Sequence, residues 1–295
     1  MSLNKPIYKL RDWININNIN WSYLSLNKNA ISLLEVNKDK INWNYLSLNN
    51  NAIDILEENI DKIDWDSLSS NSNALHLLEN NLDKINWDNL SSNTGAIKIL
   101  ERNLDRINWN NLSLNSKAIH ILKENQHKIN WSYLSKNKNA ISLLKENIDK
   151  IDWYYLSLNT NAIEILEKNL DKIIWSYLSL NKNAIHLLKK NQHKINWSYL
   201  SKNKNGISLL KENSNKINWY YLSYNQNAIH LLKENIDEID WFHLSSNPCI
   251  FELDYEKMKE NNMIMYEDLI KEVMKPSRVF KNPNYDYIEE LFGDN

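Results

Sequence analysis

Seven histidines and one cysteine are the side chains in this 295-residue chain best suited to holding a transition metal or forming a nucleophile pair. His76, His120, His186 and His230 each stand eleven residues after a tryptophan, and His127 and His193 each stand eighteen after one. A structural zinc site needs about four thiolate or imidazole ligands brought together. No two neighbouring tryptophan intervals carry histidine in the same register, and Cys249 is the sole thiol, so the expectation for metals and cofactors is none. Carboxylates are plentiful, but Asp61, Asp83 and Asp105 are each followed by Lys or Arg and read as solvated turn charges rather than an acid–base pair. Three glycines are too few for a phosphate-cradling loop, which needs backbone freedom at several positions. The chain is therefore expected not to be an enzyme.

Aromatic side chains offer a second kind of chemistry, because ring faces stack on bases and on partner side chains. Trp21 opens a column that continues at 43, 65, 87, 109, 131, 153, 175, 197, 219 and 241, an unbroken spacing of 22. Ile stands two before each of these Trp, Leu three after and Ser four after, and Asn stands six after from Asn27 to Asn247. Invariance together with the apolar flanks predicts that the Trp column packs in the core. Tyr23, Tyr45, Tyr133, Tyr155, Tyr177, Tyr199 and Tyr221, two after Trp, share their register with Ser67, Asn89 and Asn111, and such a mixed column predicts a surface.

What must position these columns is a tandem array. The unit I-N-W-x-Y-L-S-x-N-x-N-A-I-x-L-L-x-x-N-x-D-K runs ten times from Trp21 to Asp240, and an eleventh copy decays after Asn247. Asn29 to Asn37 has apolar residues at relative positions 1, 2, 4 and 5, which predicts a two-turn helix capped by Asn29. Ile41 to Ser47 predicts a single α or 3-10 turn with Trp and Leu on one face. Asn49 is expected to hold a left-handed or turn conformation where other proteins place Gly, in keeping with 52 Asn against 3 Gly. The Asn columns as a whole are expected to form ladders that satisfy backbone groups at buried turns.

Helices this short do not persist alone, so each must stack on its copies. The fold class is thus an all-α solenoid of ten to eleven 22-residue repeats, each a short α-helix plus a short α or 3-10 helix, with N- and C-terminal caps. Residues 1–18 form the N-terminal cap, 19–247 the array and 248–295 a C-terminal helical cap and tail. Stacking at about 8 to 10 Å per layer predicts a rod or superhelix of roughly 80 to 100 Å.

The order L-S-x-N-x-x-A-I-x-L-L-x-x-N-x-D-x-I-x-W, seen from Leu156 to Trp175, resembles uncharacterised 22-residue repeats of giant nucleocytoplasmic DNA viruses. Asn247-Pro248 shows the Asn-Pro form common in those arrays, and Glu267 to Arg278 is more weakly similar to the ends of such proteins. The unit also resembles the leucine-rich-variant repeat, which pairs one α-helix with one 3-10 helix. These resemblances imply an architecture and a binding role, and bring no catalytic motif.

A net charge of −2 gives no global positive field, so nucleic acid is a disfavoured partner and modular nucleic-acid binding the alternative function. With no apolar leader at its start and one thiol, the chain is expected in a reducing cytoplasm, either a host's or a viral factory, without membrane attachment. Fourteen after Trp, one register changes sign along the chain, with Glu35, Glu57, Glu79 and Glu101 giving way to Lys123, Lys145, Glu167, Lys189, Lys211 and Lys233. Nineteen after Trp, the residue is basic from Lys40 to Lys216 and ends in Glu238. The expected function is a non-enzymatic scaffold for protein–protein interaction, with an unidentified protein partner, a host protein among the candidates. Its candidate surface comprises Tyr133, Tyr155, Tyr177, Tyr199, Tyr221, Lys189, Lys211, Lys233, Glu57, Glu79 and Glu101.

Overall fold

The computed structural model describes residues 6–261 and 271. Of the expected C-terminal features, the second amphipathic segment from Met263 to Met274 and the tail from Pro276 lie outside the described residues, apart from position 271. Two units divide the chain: residues 10–251, and residues 1–9 with 252–295. Strand β1 (Tyr8–Leu10) pairs with strand β2 (Phe251–Leu253), and a helix begins at residue 255.

Residues 10–251 form an all-α solenoid of eleven layers, numbered here from the layer that begins at Trp21 to the one that begins at Trp241. A complete layer holds a Trp helix of four to six residues, an Ile helix of five or six (Leu75–Glu79 in layer 3), and in most layers a 3-10 turn such as Lys38–Lys40. The Trp helices begin where the sequence supplies a cap. Asn42 accepts a hydrogen bond on Oδ1 from the Tyr45 backbone N–H at 3.1 Å, and Asp64 does the same for Ser67 at 2.8 Å. Asn29, expected to cap the Ile helix, does not; Ala30 holds that position without a side-chain bond, and the Asn29 amide donates to the Pro248 carbonyl instead.

Two buried polar columns tie the layers together. Each Ser four after Trp donates to that Trp's carbonyl and accepts the N–H of the residue preceding the next Trp, as Ser25 does for Asn42 at 3.0 Å. Each Asn six after Trp is at most 3% exposed. Asn49 donates to the carbonyls of Ser25 and Asn27 in the layer before, at 3.0 and 3.1 Å, and accepts from Asn51 N–H at 3.1 Å. A buried amide with both donors and its acceptor used stabilises, whereas one left unpaired would cost about 1–3 kcal/mol per group. Of the two conformations expected at Asn49, the turn forms, its carbonyl accepting the Ala52 N–H at 3.0 Å, and the left-handed one does not. Asn49 has φ −80° and ψ 109°, and no residue among those described has positive φ. Asparagine stands in for glycine here by hydrogen bonding rather than by backbone handedness.

The predicted rod or superhelix with free ends is not what forms. Asn27, in the first layer, donates to the carbonyls of Ser245 and Asn247 in the last, both at 3.0 Å. Asn20 N–H reaches Ser245 Oγ at 2.8 Å, and Asn29 reaches the Pro248 carbonyl at 3.1 Å. These partners are 218, 220, 225 and 219 residues apart. Their interior counterparts are 24, 22, 17 and 23 apart. Each pair of separations totals 242, which is eleven units of 22. Layer 11 therefore precedes layer 1 as any layer precedes the next, and the array closes into a ring with a turn of about 33° per layer. Arg11 fastens the seam, its backbone N–H on the Ile250 carbonyl at 2.9 Å and its Nε on that of Cys249 at 2.8 Å. The terminal stretches of this unit thus meet each other at one seam instead of closing two separate ends.

Neighbouring Trp helices pack closer together than neighbouring Ile helices, which places the Trp series on the inner circumference. Small Ser and Asn side chains let the inner helices approach. On the outer side, Glu, Lys and His side chains stand between layers.

The core is the column of Leu three after Trp with the Ala and last Leu of each Ile helix, nearly all fully buried from Leu24 onward. Burying each such Leu is worth about 1.5–3 kcal/mol. Tryptophan, expected in this core, is half-buried in all eleven layers. From Trp21 to Trp197 a basic side chain nineteen residues on lies over the indole, from 4.2 Å for Arg106 over Trp87 to 4.9 Å for Lys62 over Trp43. The invariance of Trp comes from a ring that packs on one face and accepts a cation on the other.

Candidate partner-binding surface

The five candidate tyrosines line one inner-wall column, and three neighbouring pairs of them touch, two edge to face and Tyr177–Tyr199 tilted. Tyr133 and Tyr155 have ring centroids 5.9 Å apart, Tyr177 and Tyr199 5.8 Å, and Tyr199 and Tyr221 6.1 Å. They are half-buried rather than fully exposed. Tyr154 fills the gap between Tyr155 and Tyr177, its ring 5.1 and 3.9 Å from theirs and its hydroxyl bonded to that of Tyr177.

The column does not end at Tyr221. It passes through Tyr220 to His243 at 4.2 Å, to Phe242 at 5.2 Å, and across the seam from Phe242 to Tyr23 at 3.9 Å and on to Tyr45 at 5.5 Å. Eight consecutive layers, from 6 through 11 and then 1 and 2, share one aromatic arc. Tyr154, Tyr220 and Phe242 are 41%, 48% and 44% exposed. The sequence reading missed them, although their register, one after Trp, otherwise carries Ser, Asn or Asp.

Layers 3 to 5 interrupt the arc with polar groups. Asn89 donates to the Asp66 carbonyl at 2.8 Å and Asn111 to that of Asp88 at 2.9 Å, while Asn86 and Asn108 hold the two Asp carboxylates at 2.9 and 2.8 Å. The inner wall thus has an aromatic sector and an acidic amide sector.

Within the aromatic sector several hydroxyls ionise less readily than free tyrosine. Burial, with the neighbouring phenols, pushes Tyr224 up to about 12, and burial also raises Tyr23. In Tyr177 the hydrogen bond with Tyr154 is the main cause of the rise. His243, 5% exposed, is held by Asp240 at 2.8 Å between the rings of Tyr220 and Tyr224.

The charged candidates lie elsewhere. Glu57, Glu79, Glu101, Lys189, Lys211 and Lys233 are exposed at the C-terminal ends of Ile helices. Among the described residues no hydrogen bond, ion pair or ring contact joins them to the tyrosines. Two of them instead pair with the histidine eleven after Trp in the following layer. Glu57 bonds His76, and Glu101 bonds His120 at 2.8 Å, as Glu167 bonds His186. Lys145 and Lys168 clasp Glu164 at 2.7 and 2.9 Å, and their hydrogen bonds hold its carboxyl down to about 2. Lys189 and Lys211 have no carboxylate within 4.0 Å among the described residues. His76, His120 and His186 are therefore outer-surface partners of glutamate, and no group of three His, Cys, Asp or Glu able to hold a metal occurs among the described residues.

No family model matches the chain, and no curated protein or solved structure matches it. No helix among the described residues is long and apolar enough to cross a membrane.

Proposed function

We propose that the protein is a non-enzymatic scaffold that docks a protein partner. The observation that carries this is the division of labour in the layer. Invariant Ile, Leu, Ser and Asn are used in core packing and interlayer bonds, while the variable registers one and two after Trp, which carry the exposed Tyr154, Tyr220 and Phe242 and the half-buried tyrosines, assemble into an unbroken aromatic arc over eight layers. Exposed aromatic clusters of this kind are characteristic of the centre of protein interfaces. The exposed Lys189 and Lys211, which have no ion-pair partner among the described residues, add a basic patch on the outer side.

Nucleic acid is the rival ligand, and an acidic amide sector with a net charge of −2 disfavours it. The AT-rich codon character of Asn, Ile, Lys and Tyr, with the form of the repeat, supports a giant-virus lineage and a host-cytoplasmic or viral-factory setting for the partner.

The test replaces Tyr154, Tyr220 and Phe242 by Ser, the residue already present at that register in layers 1, 6, 8 and 9, so that the fold is kept. A second variant carries Lys189→Glu, Lys211→Glu and Lys233→Glu. Loss of a protein captured by the wild type in quantitative pull-down supports the proposal. Unchanged capture by both variants, or a salt-dependent shift with DNA or RNA homopolymer instead, overturns it.

A further inference from the structure

The cation over tryptophan is the most regular exposed feature of the array, and among the described residues it fails at two neighbouring places, Trp219 and Trp241. Nine consecutive indoles, Trp21 to Trp197, each have a Lys Nζ or the Arg106 guanidinium 4.2 to 4.9 Å from the ring centroid. Trp219 is the tenth. The residue nineteen after it is Glu238, in the 3-10 turn Ile236–Glu238 that corresponds to Lys38–Lys40 in layer 1. Among the described residues no cation lies over Trp219, and Glu238 is exposed with no ion-pair partner. Ile217, two residues before Trp219, is half-buried where its counterparts elsewhere in the array are buried. At Trp241 the next turn across the seam is Ile16–Asn18, which puts the neutral Asn18 in the place of the cation, so Trp219 alone has an acid there.

We infer that the Trp219 face, with the Glu238 carboxylate beside it, receives a cationic side chain, a lysine ammonium or an arginine guanidinium, from the docked protein. The nine sister layers show what this indole face accepts, since in each the chain fills it with such a cation from its own sequence. In layer 10 the cation is replaced by its counter-charge, so the ring's attraction for positive charge and the carboxylate's act together on an external group. This deepens the docking proposal by naming the partner's chemistry. Its test uses small probes, so it succeeds or fails independently of whether any macromolecular partner is captured.

The full chain is labelled with 15N, its indole N–H resonances are assigned, and it is titrated with N-acetyl-lysinamide, N-acetyl-argininamide and the neutral N-acetyl-norleucinamide. The expected result is a saturable shift of the Trp219 resonance with both cationic probes at millimolar concentration. The nine covered indoles stay still, and the neutral probe moves none of them. Glu238→Lys restores the residue type of the sister layers, so it keeps the fold, and it abolishes the shift by filling the face from within. Glu238→Gln weakens binding about two- to five-fold, the scale of an exposed charge contact. An unmoved Trp219, an equal response to the neutral probe, or undiminished binding by Glu238→Lys would overturn the inference.

Discussion

Replacing Asn27 by Ala asks whether the first layer is joined to the last. In the ring its amide makes three bonds: to the carbonyls of Ser245 and Asn247 at 3.0 Å, and from Asn29 N–H at 3.1 Å. Asn137, in the middle of the array, makes the same three to Ser113, Asn115 and Asn139 at 3.0, 3.1 and 3.1 Å. Both side chains are buried, at 0% and 2% exposure, so solvent does not replace the lost partners. With each buried hydrogen bond contributing about 1 kcal/mol, either substitution should cost about 3 kcal/mol. An open array would make the two positions unequal. Asn27→Ala would then lose only the bond from Asn29 and cost about 1 kcal/mol. Urea unfolding of both variants, followed by far-UV circular dichroism and tryptophan fluorescence, measures the difference. Equal losses support closure, and a seam loss less than half the interior one would refute it.

Other substitutions test the layer's local chemistry. Ile174 is the one residue preceding a Trp in the array that supplies no side-chain cap, and it is 38% exposed; Ile174→Asp should stabilise by about 1 kcal/mol in the same unfolding experiment. Lys84 lies 4.6 Å over Trp65, and Lys84→Met should cost about 0.5–1 kcal/mol, with the Trp65 indole resonance shifting as the cation leaves. Tyr224 ionises only at about 12 in the fold. Since its folded value is raised, its contribution to stability is complete below the ordinary tyrosine range near 10 and is lost as the pH rises through 12. Stability measured from pH 9 to 12 should therefore fall less steeply in Tyr224→Phe than in the wild type.

The 22-residue period, the core Leu column and the role of the buried Asn six after Trp could all be read from residue types, because a strict period admits only stacked copies and a buried amide must find partners. Closure could not. It depends on a turn of about 33° per layer, set by how much nearer the Trp helices approach than the Ile helices, and no single residue encodes that difference. The half-burial of Trp was hidden for another reason. Apolar flanks and invariance point equally to a core residue and to an indole held under a cation, and only the link between Lys40 and Trp21, nineteen residues apart, separates the two. Asn29 misled because an Asn before an apolar run is the usual capping signal, whereas here its amide serves the neighbouring layer. For the candidate surface, the tyrosine column was visible as a mixed register. Its continuation through Phe242 to Tyr23 required the ring, since those residues are more than 200 positions apart.

Ring closure is tested most directly by a distance. Spin labels at Glu58 in layer 2 and Glu234 in layer 10, both exposed, lie three layers apart across the seam, and labels at Arg102 and Lys168 lie three layers apart inside the array. With Cys249 replaced by Ser, double electron–electron resonance should give the two pairs the same mean distance. An open array would place Glu58 and Glu234 eight layers apart, roughly 64–80 Å at the usual helix spacing, and a distance in that range would contradict the closed ring.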